Sequence, residues 1–399
     1  MNRRVWILSF ALVVVTLGFG MVIPIFPFYI EKLGATGRHY GLLIAIAALL
    51  EFLCAPIWGS ISDRTGRKPI LAIGMVGYAL SSLLFGLSTK LWMLFASRAL
   101  SGLLSSATSA TAMAYITDST SDSDRGGSMG MLGAAMGLGM ILGPGLGGWL
   151  GAEDLALPFY IAAALAVVAL LMILLWVPES LPPEQRQRTG SVLQNSSWSS
   201  LWHALRGPVG ILFGLLFLVS FGLANFESIF GLYAAERLGY GPERVGIILV
   251  VIGVVSTLGK ATLIGPITKR WGEPPLIRVS LLASAVGFGI LFLAQQYVTI
   301  LLATGLFILS KTFLRTALLS LASKRAQGGK GAVMGLGNSF ISLGRVAGPI
   351  WAGFAFDLYH GAPYLSGAVI MLAGFVLSWV WDLAGTRTKL GSMAGNSRI

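Results

Sequence analysis

Twelve runs of apolar residues, each about 20 residues or longer, divide this chain, separated by charged, glycine- and proline-bearing breaks. An α-helix satisfies its own backbone hydrogen bonds, and about 20 apolar residues in helix span the hydrocarbon core of a bilayer. The runs are Val5–Ile30, Tyr40–Gly59, Pro69–Leu87, Leu91–Ile116, Ser128–Leu150 and Leu157–Val177, then Pro208–Ala234, Val245–Pro266, Leu276–Ala294, Val298–Leu321, Gly331–Phe356 and Pro363–Leu383. They leave no room in 399 residues for a sizeable domain outside the membrane. Only 11% of the residues are charged, against about 25% in a soluble domain, which excludes a water-soluble globule. The expected fold is all-α, with twelve transmembrane helices. The first run is too long for the core of a signal peptide and is read as retained.

A net charge of +12 would suit a nucleic-acid binder, but such proteins gather their bases on a soluble face. Here the bases lie mostly between apolar runs, and no nucleic-acid partner is expected. With both termini in the cytoplasm, the outer loops hold only Lys32, Arg38, Lys90, Arg237 and Arg244, and most other bases fall inside. That bias sets the orientation by the positive-inside rule and points to a multi-pass protein of a prokaryotic cytoplasmic membrane. The one cysteine, Cys54, lies in an apolar run, and three histidines are scattered. No metal, cofactor or internal disulfide is expected, and no grouping of nucleophile and base argues for an enzyme.

The chain repeats. Glu31, Lys32, Leu33, Gly34 and Gly41 return as Glu236, Arg237, Leu238, Gly239 and Gly246, a shift of 205. Gly59, Arg64, Gly66 and Pro69 return as Gly265, Arg270, Gly272 and Pro275, a shift of 206. Met129, Gly130, Gly143 and Pro144 return as Met334, Gly335, Gly348 and Pro349, again at 205. Six spans per copy leave both copies facing the same way, as parallel repeats about an axis along the membrane normal. The expected domains are a six-helix bundle over residues 1–177, a cytoplasmic linker rich in Ser, Gln and Arg over 178–207, and a second bundle with its tail over 208–399.

The loop Gly59–Lys68 reads GSISDRTGRK and resembles the signature loop of the major facilitator superfamily. A carboxylate at Asp63 can face the positive end of a helix, and Arg67 can form a forked pair with an acid such as Asp118. The resemblance implies that Gly59, Asp63, Arg64, Gly66, Arg67, Lys68 and Asp118 latch the inner face, with span eleven supplying the helix end. Lys269 replaces the acid in the second copy, so only the first is expected to latch. Span five carries Gly130, Gly139, Gly143, Pro144, Gly147 and Gly148, which is similar to the antiporter signature of drug:proton exporters. Its spaced glycines admit another helix closely, and Pro144 frees a carbonyl. Leu17, Gly18, Pro24 and Pro27 in span one resemble the twelve-span exporters, including tetracycline efflux proteins. In span four, Leu94, Arg98 and Gly102 fit the family's LxxxRxxQG pattern, with Ser101 in place of Gln.

Charges inside spans are costly and mark cavities, ion paths or one another. Glu227 is the first candidate for proton coupling, expected to be buried; Glu51 is the second, and Arg98 joins them. Phe26, Phe28, Asn225 and Phe226 are candidates to line a substrate cavity. With no GxxxxGK[ST] loop for ATP, the expected function is export of a small amphipathic or cationic compound in exchange for protons, by a carrier acting as a monomer. Efflux of a sugar, peptide or metabolite is an alternative, and a non-transporting sensor or scaffold is a third reading. The topology is open to test in a Cys54→Ser background. Single cysteines introduced between residues 178 and 207 should resist an impermeant thiol reagent in intact cells and react in inverted vesicles. Labelling from outside would reverse the orientation.

Overall fold

The computed structural model describes residues 3–120, 122–182, 184, 186, 205–206, 209–325 and 330–395. Among them the ordered elements are helical, with no strand. Spans one to three are the helices Arg3–Lys32, Gly37–Thr65 and Arg67–Gly86. Span four is Leu91–Leu100 and Ser106–Ser119, joined by a π-helical turn at Ser101–Ser105. Asp122–Glu153 and Leu157–Trp176 are spans five and six, and Gly210–Leu238 is span seven. Span eight runs through Pro242–Leu258, a second π-helical turn at Gly259–Leu263 and Ile264–Trp271. Spans nine to twelve are Glu273–Leu293, Tyr297–Lys324, Lys330–Leu358 and Ala362–Gly395. Ten of the spans are long and apolar enough to cross a membrane by length and composition alone. The other two, four and eleven, are the more polar. Span four holds Arg98 and a Ser- and Thr-rich stretch from Ser101 to Thr111, and span eleven holds Asn338, Ser339, Ser342 and Arg345.

The turns carry the repeat into the backbone. Gly34 and Gly239 have φ of 69° and 65°, and Gly66 and Gly272 have φ of 110° and 75°. These are the positive-φ residues among those described, and they pair at shifts of 205 and 206. Reversing direction between spans within a few residues needs a backbone that only glycine adopts cheaply.

The helices pack into two compact units. The first joins spans one to six with Glu227–Val254 and Pro349–His360. Its core is apolar, with Leu8, Leu71, Met75, Tyr115, Leu132 and Ala166 all fully buried. Phe85 stacks on Phe159 at 4.2 Å, and the Tyr29 hydroxyl donates to the carbonyls of Gly86 and Ser88, each at 3.0 Å. The second unit holds span seven up to Phe226, Val255–Gly348 and the chain from Gly361. Phe226, Phe288, Phe307 and Tyr364 cluster there, with Phe288 and Phe307 4.6 Å apart. Packing therefore divides the chain inside spans seven, eight and eleven, whereas the repeat divides it between spans six and seven.

Span five lies against span one through its glycines. A Cβ built on Gly139 would stand 2.7 Å from Leu17 N, one on Gly143 2.4 Å from Leu17 O, and one on Gly147 2.2 Å from Met21 O. All three would strike backbone, which cannot swing aside. Gly130, the first residue of the same pattern, faces open space, so close packing does not account for it. Gly143→Val should destabilise the protein by about 1–3 kcal/mol, the usual cost of overpacking. Gly130→Ala should hold or raise the melting temperature, since alanine favours helix by up to about 1 kcal/mol. Thermal unfolding of the purified protein in detergent checks both, and equal effects would show that the stripe is not the packing surface.

Candidate functional site

The loop between spans two and three turns at Gly66 so that span three begins on Arg67. This puts the guanidinium, 9% exposed, between two acids: Arg67 Nε donates to Asp118 Oδ2 at 2.8 Å, and Nη1 lies 2.6 Å from Asp63 Oδ1. Nη1 also donates to Ser62 Oγ at 3.1 Å. Glu179 completes the cluster. Its Oε1 accepts from the Arg67 backbone N–H at 2.8 Å and its Oε2 from that of Lys68 at 3.1 Å. Those N–H groups open a helix and lack intrahelical acceptors, and a carboxylate there also meets the positive end of the dipole. A Cβ on Gly66 would lie 2.4 Å from Glu179 Oε2, so glycine serves both the turn and this approach. Lys68 Nζ donates to Leu174 O at 2.7 Å; Gly59 has open space around it and Arg64 is exposed. In the sequence Glu179 stands only as an early residue of the expected linker, and its role as the cap is missed. The signal was one acid placed just after span six.

The second copy inverts the charges and keeps the pair between spans nine and ten, Glu273 with Lys324. At a shift of 206, Asp63, Arg67 and Asp118 become Lys269, Glu273 and Lys324. Glu273 is buried, bonds Lys324 Nζ, and accepts from Ser320 Oγ at 3.0 Å. Lys269 thus does more than remove an acid: it belongs to a reversed set. Acid, base and acid in the first half become base, acid and base in the second.

The charges within spans fall on different surfaces. Arg98 sits over two rings, 4.4 Å from the Phe26 centroid and 5.4 Å from that of Phe85. Its Nε is buried with no hydrogen-bond acceptor among the described residues, and the π-helical turn of span four starts just after it. A desolvated cation over aromatic faces gains about 2 kcal/mol. Glu51 is half-buried. Glu227 is exposed, which corrects the expectation of a buried acid: hydropathy locates it along span seven, but helix rotation decides what its side chain meets. Phe26 and Phe226 are each 1% exposed within aromatic clusters. Asn225 is fully buried and donates through Nδ2 to Pro363 O at 2.7 Å. Packing therefore accounts for these three, and Phe28 alone of the four cavity candidates is partly open. Among the described residues no three His, Cys, Asp or Glu side chains are grouped to hold a metal.

Span five also meets span eight, through Gly148 and the Pro144 carbonyl. A Cβ on Gly148 would lie 2.5 Å from Pro242 O, and one on Gly246 2.6 Å from Pro144 O. Span five is thus the helix on which spans one and eight both lie. The model of the Major Facilitator Superfamily matches residues 8–349 and again 212–395, the second match starting in span seven, where the repeat restarts. The chain belongs to this superfamily. It is 30% identical over 366 residues to Multidrug resistance protein 2 of Bacillus subtilis strain 168, covering 92% of each. It is also 30% identical over 379 residues to Quinolone resistance protein NorA of Staphylococcus aureus strain COL, covering 94% of this chain and 96% of that one. The nucleoside transporter NupG shares the fold, with a TM-score of 0.79 at 15% identity over 96% of this chain and 99% of that one. As a superfamily member this chain is a multi-pass membrane transporter.

The reversed charges make a testable statement about the superfamily loop. Arg67→Glu alone places an acid between Asp63 and Asp118 and should lower stability by about 2 kcal/mol or more, since a charged hydrogen-bond pair is lost and like charges meet. The triple change Asp63→Lys, Arg67→Glu, Asp118→Lys copies the second-half set and should recover most of the melting temperature. A triple variant no more stable than the single one would show that the surroundings, Glu179 above all, fix the sign.

Proposed function

We propose that this chain exports a small amphipathic or cationic, drug-like compound from a bacterial cytoplasm in exchange for protons, as a monomer with both termini inside. The full-length likeness to two proteins named for drug resistance supports export. The observation that carries the coupling is Glu227. It lies about three turns before the end of span seven, within a helix long enough to cross the bilayer, yet its side chain is exposed on the protein surface. A carboxylate turned to hydrocarbon is costly, so a water-filled path is the surface that suits it. There it can take a proton from one side and yield it to the other.

Alternating access then needs one acid at which protonation and substrate occupancy exclude each other. Substrate arriving from inside displaces the proton, and protonation from outside displaces substrate. Glu51, half-buried in span two, is the second acid able to serve. Arg98 stays charged at any working pH and holds a positive potential in the first half. The loop cluster of Asp63, Arg67 and Asp118 is the inner latch in this reading and favours the outward state. The spaced glycines of span five let the helices that must slide past one another touch through backbone.

Uptake of a panel of amphipathic and cationic dyes into inverted vesicles, with and without an imposed pH gradient, tests the function. Glu227→Gln keeps size and hydrogen bonding but not ionisation, and should abolish gradient-driven accumulation while binding and downhill exchange persist. Glu51→Gln should be better tolerated. The reverse ranking would move the coupling to Glu51, and wild-type accumulation by the double variant would overturn proton coupling at either acid.

A further inference from the structure

Spans two and eleven meet at the ends expected outside, and their contact has two layers. The first is steric and repeated. A Cβ on Gly41 would lie 2.1 Å from Pro349 O, and one on Gly353 2.2 Å from Gly37 O. At a shift of 205 these four positions become Gly246, Pro144, Gly148 and Pro242, the seam of spans eight and five. The second layer exists in one copy only. Asp357 Oδ1 accepts from the Gly37 N–H at 2.8 Å, and Oδ2 accepts from the Arg38 N–H at 3.1 Å and from Arg38 Nε at 2.9 Å. Gly37 and Arg38 are the first two residues of the span-two helix, behind Thr36. Their N–H groups have no acceptor inside the helix, and the helix end is positive. The repeat-equivalents of Asp357, Gly37 and Arg38 are Ala152, Pro242 and Glu243: no acid, no N–H at the first donor, and the opposite charge at the second.

Asp357 is 14% exposed and Arg38 58%. The guanidinium arm is screened by water and is worth little, so the sheltered arm, carboxylate on helix end, carries the contact. His360 also bonds Glu236, with Nε2 3.0 Å from Oε2, but spans seven and eleven belong to the same sequence half and part company with neither.

We propose that Asp357 is the latch of the outer face, a positioning residue that holds the outer ends of spans two and eleven together and lets go when they separate. This rests on the alternating-access reading above. In that reading the loop cluster at the end of span two latches the inner face; here Asp357, near the end of span eleven, serves the start of span two. The two latches pull the cycle in opposite directions.

The test is a distance measurement between spin labels on Lys90→Cys and Glu243→Cys in a Cys54→Ser background, in nanodiscs without substrate or pH gradient. Asp357→Asn should raise the ratio of outer-open to outer-closed molecules about tenfold, equivalent to about 1.4 kcal/mol. Arg38→Gln, which spares both backbone donors, should shift it less, and Glu236→Gln should leave it unchanged. If Asp357→Asn does not fold, Arg38→Pro, tolerated in a first helical turn, removes two of the three donors and should give the same direction of shift. A distribution matching the parent in Asp357→Asn, or in Arg38→Pro where that variant stands in, overturns the latch; so does a shift in Arg38→Gln as large as that in Asp357→Asn. Because no transport is measured, failure here leaves the export reading standing, and failure of pH-driven accumulation leaves the latch standing.

Discussion

Backbone touching backbone through glycine is the constraint on which the rest of this structure depends. In a bilayer the lipid tails are as apolar as leucine, so burying apolar surface between helices gains little, and association rests on close fit. Gly139, Gly143 and Gly147 bring span five onto the main chain of span one, while Gly148 and Gly246 do the same for spans five and eight. Gly41 and Gly353 repeat that seam between spans two and eleven. Smooth surfaces of this kind suit helices that must shift, because no side chain has to withdraw from a socket. They also supply almost no electrostatic preference between arrangements, and that preference has to come from charges at the helix ends.

Two carboxylates near helix ends are used in that way. Glu179 caps span three, and Asp357 caps span two. A helix end offers several N–H donors aimed in one direction, and a carboxylate offers several lone pairs to meet them. The two copies of the repeat differ in these charges far more than in their glycines. Turns and seams are steric, so both halves need the same small residues. An ion pair works with either sign provided both members change, which is why the Arg67–Asp118 position can hold Glu273 and Lys324 instead. Charge is the layer in which the halves of a duplicated transporter can diverge without loss of fold.

The acids within spans follow a different rule. Glu227 and Glu51 stand in helices otherwise able to cross a membrane, and neither is fully covered by protein. Arg98 is held by rings, with Phe26 taken up in that contact. The aromatic residues near the expected cavity therefore have structural work already, and recognition of an amphipathic solute, in the proposed function, falls to surfaces that stay partly open, such as Phe28.

The spans, the duplication, the signature loop and the glycine pattern of span five are legible in the sequence because each is local. Hydropathy over about 20 residues, a constant offset and a helical spacing need no partner to be read. Even so, Gly130 belongs to the pattern on paper and meets nothing in space. Apart from the Arg67–Asp118 pair, partners were decided only by tertiary packing. Asp357 and Gly37 lie 320 residues apart, and Glu179 reaches Arg67 across 112. Glu227 was expected to be buried and is exposed. The physical reason is the same in each case: sequence sets where along a helix a side chain stands, whereas the rotation and tilt of that helix, fixed by its neighbours, set what the side chain meets.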